Sequence, residues 1–236
     1  MESKCRIIGN GFIAQSFKNF LNTYNIIIFA SGVSNSSNLD NSEFEKEIRK
    51  LKDIKNNSQD SKLIYFSSCS IEDGSRNKKP YQIHKKKMET IINQSFENYL
   101  IFRLPEIVGN NKNPYTLFNF LVNKIKNKQK ILTSSKCYRN LIDIDDVKSI
   151  IKFILEKNIN RQVINVANLK MQKVIDIVKI MSKILNYDFI IEENERFDNE
   201  DFIINVDTIA KINKHLKINF DENYINLLLK KYINNV

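Results

Sequence analysis

Apolar residues fall along this chain in two alternating patterns. Short apolar runs at 4–8, 26–30, 62–67 and 99–103 read as buried strands. Stripes at three- and four-residue spacing between them read as helices over 12–22, 42–57 and 80–96. In the second stripe Phe44, Ile48, Leu51 and Ile54 share one face. Small polar residues from Ser31 to Ser42 favour a loop. Strands alternating with helices predict a parallel sheet with helices on both faces, an α/β protein. Beyond Asn113-Pro114 the pattern loosens. Leu117, Phe118, Phe120, Leu121 and Ile125 predict a helix over 115–127, followed by a strand at 130–133. A helix over 145–157 opens at Asp145-Asp146, where acids suit the positive end of the helix dipole. A strand at 162–166, a helix over 171–185, a strand at 188–191 and helices near 206–214 and 221–234 complete the reading. Residues 1–110 thus form the sheet core. Residues 111–236 form a mixed region that returns partly to the sheet and builds a smaller lobe.

Composition narrows the function classes. A chain of 236 residues can bury a sizeable core. It has no run of 18 apolar residues, so no membrane span is expected. Met1-Glu2-Ser3-Lys4 runs straight into the first strand and leaves no room for a signal peptide, which points to a cytoplasmic protein. Cys5, Cys69 and Cys137 are far apart and lack metal-ligand spacing, so they read as reduced thiols and no metal is expected. The formal charge of +10 raises nucleic-acid binding as an option. The basic residues are scattered along the chain, with denser stretches only at Lys85–Lys87 and Lys124–Lys130. A solvated basic surface is the favoured reading, and such a surface also attracts a nucleotide diphosphate.

Two motifs carry chemistry. Gly9-Asn10-Gly11-Phe12-Ile13-Ala14 follows the first strand and opens the first helix. Glycines there permit a sharp turn and close approach of backbone to a pyrophosphate, and the small Ala14 permits tight helix–strand packing. Only five glycines occur in the chain, and two lie in this turn. The second motif is Tyr81-Gln82-Ile83-His84-Lys85, which puts a phenol and an ammonium one above the other on a helix face. A phenol titrates near 10, and a nearby lysine stabilises its anion. Upstream, the strand Leu63-Ile64-Tyr65-Phe66 ends in Ser67-Ser68-Cys69-Ser70, which places hydroxyls at a strand's C-terminal end.

Together these segments resemble the extended short-chain dehydrogenase/reductase superfamily, the branch of NAD-dependent nucleotide-sugar epimerases, dehydratases and reductases. The resemblance covers most of the chain. It implies a Rossmann-like fold and a catalytic set of Ser68, Tyr81 and Lys85. It implies an NAD(H) or NADP(H) site on Gly9, Asn10, Gly11, Phe12, Ile13, Ala30, Ser31, Gly32, Tyr81, Lys85, Leu104 and Pro105. It implies a nucleotide-sugar substrate held by Ser68, Cys69, Ser70, Asn119 and Arg139, the arginine on the diphosphate. Arg139 stands in Tyr138-Arg139-Asn140-Leu141-Ile142-Asp143-Ile144-Asp145-Asp146-Val147, which resembles the family's Arg…Asp-Asp-Val segment. A homodimer is kept open.

The departures also bear on function. Only Asn22-Thr23-Tyr24-Asn25 separates the first helix from the next strand, so two strands of the ordinary fold are missing. With them goes the residue that selects between NAD and NADP at the adenosine ribose. The sequence leaves open whether helix placement or crossover hand yields to this deletion. Where family dehydratases carry an acidic pair, this chain has Cys69 and Ser70, which argues against 4,6-dehydration. An epimerase must hold one cofactor through oxidation and re-reduction, and a clipped pocket suits that less well than it suits a reductase. The expected activity is therefore NAD(P)H-dependent reduction of a nucleotide-linked 4-keto sugar. A 4-epimerase and a non-catalytic cofactor-binding protein are the alternatives.

Overall fold

The computed structural model describes residues 5–18, 25–33, 40–57, 61–74 and 79–235. In chain order the elements are β1 (Arg6–Ile8), α1 (Phe12–Ser16), β2 (Ile26–Phe29), α2 (Asn41–Asn57), β3 (Lys62–Ser68), α3 (Pro80–Ser95), β4 (Tyr99–Leu104) and β5 (Glu106–Val108). Then follow α4 (Leu117–Lys126), β6 (Lys130–Thr133), β7 (Tyr138–Arg139), β8 (Leu141–Asp143), α5 (Ile144–Glu156) and β9 (Gln162–Asn165). The last are β10 (Gln172–Lys173), α6 (Val174–Leu185), β11 (Ile190–Glu193), α7 (Asp207–Leu216) and α8 (Tyr224–Tyr232). The chain divides into two compact units: residues 1–71, 76–104 and 152–165, and residues 72–75, 105–151 and 166–236.

The first unit is built on a parallel sheet in the order β1-β2-β3-β4-β9. Strand alternation sends Leu63 and Tyr65 to one face and Ile64 and Phe66 to the other. On the first face, Ile27, Phe29, Leu63, Tyr65, Tyr99 and Ile101 form a core with Leu51 and Ile54 of α2 and Met88 and Ile92 of α3. On the opposite face Phe66 lies 5.4 Å from the ring of Phe17, just after α1, and 6.4 Å from the ring of Phe102. Helices therefore lie on both faces. The strands step the same way from β1 to β2 and from β2 to β3, yet α1 and α2 sit on opposite faces. The two crossovers have opposite hands, and since α2 and α3 share a face, the first is the exception to the right-handed rule. Helix placement is kept and crossover hand yields. Among the described residues no strand lies beyond β1, as the short link between α1 and β2 predicts.

Element ends follow local chemistry. α3 opens at Pro80, whose fixed φ and missing N–H suit a first turn. The first helix stops at Ser16, short of the expected 12–22. Its last turn tightens, with Lys18 N–H donating to Gln15 O at 3.3 Å, and residues 19–22 of the expected helix lie outside the described residues.

The second unit holds three strand pairs: β5 with β8 and β6 with β11, both parallel, and β7 with β10, antiparallel. Its helix α4 is capped by Thr116, whose side chain accepts from Asn119 N. Asp143 accepts from Lys231 at 2.8 Å and from Tyr232 at 2.8 Å, and Asp146 accepts from Tyr224 at 2.6 Å. These bonds tie α8 to the end of β8 and the start of α5. Strands β5 and β7 escape sequence reading because each is defined by its pairing with a distant segment. Among the described residues no helix is long and apolar enough to cross a membrane.

Gly9 has φ +128°, and a Cβ there would stand 2.3 Å from the carbonyl oxygen of Ala30. Ala30 N–H donates to Ile8 O at 2.8 Å, so the two segments cannot separate without losing that bond. Gly9→Ala should cost about 2–4 kcal/mol, from a forbidden dihedral and a backbone overlap together. Urea denaturation checks this, and an unchanged midpoint would refute it.

Candidate active site

Ser67 and Ser68 end β3, in register with Arg103 and Leu104 of β4. A single 3-10 turn, Cys69–Glu72, follows. The Ser68 and Ser70 hydroxyls are 2.8 Å apart, and Ser70 N–H donates to Ser68 Oγ at 3.2 Å. Gln82, buried on α3, donates its amide N–H to Ser70 Oγ at 3.0 Å. With Ser70 as the donor to Ser68, the Ser68 proton is free to point outward. Cys69 is buried and its thiol donates to Arg103 O at 3.4 Å, a packing position.

Helix α3 turns an unusual face inward. Tyr81, Gln82, His84, Lys85, Met88, Glu89 and Ile92 are all buried. The first half of that face is polar and the second mostly apolar. Glu89 takes a two-pronged bond from Arg103, at 2.8 and 2.7 Å, which clamps α3 to β4. Lys85 carries three N–H donors and faces three oxygens: Tyr65 Oη at 3.0 Å, Glu47 Oε1 at 3.2 Å and the carbonyl of Phe66 at 3.5 Å. Its ammonium lies 5.0 Å from the Tyr65 ring centre and 5.9 Å from that of Tyr81.

Glu47 is the buried partner of Lys85 that sequence reasoning missed. It is 1% exposed on α2 and accepts from Tyr65 Oη at 2.8 Å, from Lys85, from the Val33 N–H at 3.1 Å and from His84 Nε2 at 2.9 Å. Burial alone would raise its carboxyl, but the charge of Lys85 and the bonds from His84 and Tyr65 outweigh it and hold the group down at about 2. Burial, then the charge of Glu47, pushes the Tyr65 phenol well up, so it stays protonated and donates. A signal existed in the sequence: Glu47 stands three residues after Phe44 and four before Leu51, on the apolar face of its helix. Gln82 and His84 carry a weaker signal, being polar neighbours of the Tyr–Lys pair.

The glycine turn has two kinds of glycine. Gly9 is demanded by the fold. Gly11 has an ordinary φ of −74°, and a Cβ there would meet nothing within 4 Å among the described residues. The fold does not require it, and the open space beside it is what an approaching phosphate needs. Gly32, after β2, is different again: a Cβ would lie 2.6 Å from Lys85 Nζ and 2.9 Å from Glu47 Oε1. The Lys85–Glu47 pair is seated directly on this backbone. Asn10, Phe12, Ile13, Ala30 and Ser31 belong to the same two segments, and Ser31 Oγ accepts from Lys50 at 2.7 Å. These residues fit a dinucleotide: a turn open at Gly11, a second loop at Ala30–Gly32, and hydroxyl and ammonium groups on β3 and α3. Leu104 ends β4 in the same unit.

The remaining expected residues belong to the second unit. Pro105 precedes β5. Asn119 is buried on α4, with its amide nitrogen donating to Asn111 O at 2.5 Å and Asn113 O at 2.9 Å, and its Oδ1 has no partner among the described residues. Arg139 is half-buried on β7 and donates to Tyr138 O at 2.6 Å. Among the described residues no group of acids, histidines and cysteines could hold a metal ion.

Residues 55–167 match the family model described as the NAD dependent epimerase/dehydratase family. No curated protein sequence gives a significant match. Among solved structures, the chain is similar to RMD from Pseudomonas aeruginosa complexed with NADPH, at 14% identity and TM-score 0.71, covering 98% of each chain. It is similar to dTDP-4-dehydrorhamnose reductase from Bacillus anthracis in complex with NADP, at 16% identity and TM-score 0.67, covering 86% of each chain. It is also similar to UDP-N-acetylglucosamine 4-epimerase from Methanobrevibacter ruminantium in complex with UDP-N-acetylmuramic acid, at 17% identity and TM-score 0.65, covering 95% of this chain and 79% of that one. At these identities the structures share a fold with this chain, and the fold is Rossmann-like. The matched stretch contains Ser68, Tyr81, Lys85 and Arg139, and the motifs, the parallel sheet and the structural neighbours agree on the fold: the chain is similar to the NAD dependent epimerase/dehydratase family over residues 55–167 and has a Rossmann-like α/β fold.

Proposed function

We propose that this protein is an NAD(P)H-dependent reductase that acts on a keto group of a nucleotide-linked sugar. The observation that carries the reading is the buried pairing of Tyr81 and Lys85, one turn apart on α3, on a helix packed against the strand that ends in Ser68. Gly9, Asn10, Gly11, Phe12 and Ile13 would hold the cofactor's pyrophosphate, and Ala30, Ser31 and Gly32 would line the adjoining stretch. When bound, the reduced nicotinamide supplies the hydride.

The chain's own residues supply the rest. Ser68 donates a hydrogen bond to the substrate's carbonyl oxygen, freed to do so by the Gln82–Ser70 relay behind it. Tyr81 gives its proton to the oxygen as it becomes an alkoxide, and the Lys85 charge beside the ring favours the phenolate left behind. Arg139 is read as a contact to the diphosphate on the strength of its segment alone. Among the described residues β1 is the last strand of the sheet, which supports a reductase over a 4-epimerase, because an adenosine end with few anchors releases its cofactor each turn more readily than it retains it.

Loss of nicotinamide absorbance, measured with NADH or NADPH against a panel of 4-keto sugar nucleotides, tests the reading. Tyr81→Phe should lower turnover by about 10² to 10⁴ while leaving cofactor affinity unchanged. Near-native turnover would end the assignment, and no turnover in the native protein despite cofactor binding would favour a binding protein. Gly11→Ala should leave the denaturation midpoint unchanged and weaken NADH and NADPH alike, as calorimetry would show. Arg139→Leu should weaken a nucleotide diphosphate by roughly 2–4 kcal/mol and leave the dinucleotide untouched. Equal weakening of both would remove Arg139 from the substrate site.

A further inference from the structure

We propose that Glu47 is a positioning residue that locks the Lys85 ammonium to the loop after β2, so that the lysine and the loop move as one unit. The inference rests on the reading of Lys85 given above and adds to it a residue that no motif contains. Glu47 reaches four partners from three segments: Val33 N–H in the loop, Tyr65 Oη on β3, and His84 Nε2 and Lys85 Nζ on α3. Its two oxygens divide the work. Oε1 accepts from Tyr65 and Lys85, and Oε2 accepts from Val33 and His84. An ionised acceptor at 2.9 Å places a proton on His84 Nε2.

Burying an ion costs several kcal/mol even after relaxation, so a carboxylate survives here only with every lone pair engaged. The same helix buries Leu51 and Ile54 farther along that face, so an apolar side chain would meet the demands of packing. Gly32 supplies the second argument. Lys85 Nζ and Glu47 Oε1 occupy the space a side chain would fill at that position. The loop is therefore shaped around the ion pair and not merely near it. The third is the ammonium itself. Its three N–H donors match three acceptors at 3.0, 3.2 and 3.5 Å. The longest bond, to the carbonyl of Phe66, is the one most readily exchanged for a ligand hydroxyl, while Glu47 and Tyr65 keep the nitrogen in place.

The test reads the lysine directly. Only an unprotonated amine is reductively methylated, so labelling against pH, read by mass spectrometry, gives the midpoint at which Lys85 loses its proton. Lys86 and Lys87, exposed on the same helix, serve as internal standards. The groups facing the pair are His84 and Tyr81 on α3, Tyr65 on β3 and, through Tyr65, Glu89 with its partner Arg103. None of these side chains is altered in Glu47→Gln, which keeps nearly the same shape and removes the charge. Its Lys85 midpoint should fall by at least about one pH unit, a tenfold change, because a buried ammonium without a counter-ion gives up its proton more readily. The midpoints of Lys86 and Lys87 should not move. The variant should also bind NADH or NADPH at least about tenfold more weakly, and Glu47→Asp should restore part of both effects. An unchanged urea denaturation midpoint of the variant separates this effect from local opening of the fold. An unmoved Lys85 midpoint in folded Glu47→Gln overturns the proposal. Should that variant fail to fold, Gly32→Ala pushes a methyl group into the ion pair and must shift the same midpoint, or the proposal falls. Failure of the native protein to bind either cofactor would overturn the functional reading instead, and the labelling would still decide whether Glu47 holds Lys85.

Discussion

Strand β3 is hydrogen-bonded along both edges and buried on both faces, and the first unit is organised by that constraint. Each of its side chains must commit to one face or the other. Leu63 and Tyr65 commit to the α2 and α3 side, and Ile64 and Phe66 to the side where Phe17 lies. At the C-terminal end, where pairing with β4 finishes at Ser68 and Leu104, the strand gives way to polar side chains. The expected chemistry gathers at this end because backbone pairing stops there and hydroxyls can be presented without cost to the ladder.

The transition from core to site can be followed along α3. Its second half buries Met88 and Ile92 in a purely apolar cluster. Its first half buries Tyr81, Gln82, His84 and Lys85, each a polar group that must be answered. The answers come from other elements: Ser70 for Gln82, Glu47 for His84 and Lys85, Tyr65 for Lys85 again. A buried lysine is tolerable in this sheet only because α2 brings a carboxylate to it. Glycine at position 32 of the loop after β2 leaves the space that the ends of both side chains occupy. The helix face, the buried acid and the glycine form one linked solution, and removing any one leaves an uncompensated charge or an overlap.

The deletion between α1 and β2 shows how much the packing face of a helix outweighs the hand of its crossover. Ala14 and Phe17 are fully buried, and moving α1 to the other face would strip both of their contacts and crowd the space that α2 fills. Reversing the hand of one connection disturbs only a short link. The contacts of the helix with the sheet decide the outcome.

Most of the element order was legible in the sequence, because buried parallel strands are apolar runs and amphipathic helices have a period. The Tyr81–Lys85 spacing, the serines at the end of β3 and the glycine turn were legible for the same reason: each is local, set by helix pitch or by a turn. The short strands β5, β7 and β10 were not legible, since they exist only by pairing with segments distant in the chain. Nor was the role of Glu47, whose partners lie 14, 18, 37 and 38 residues away. The sequence by itself determined where the serines, the Tyr81–Lys85 pair and the glycine turn stand on their elements. Only the tertiary structure decided which buried charge stands against Lys85, because that choice is made by how α2 and α3 meet over β3 and not by any spacing along the chain.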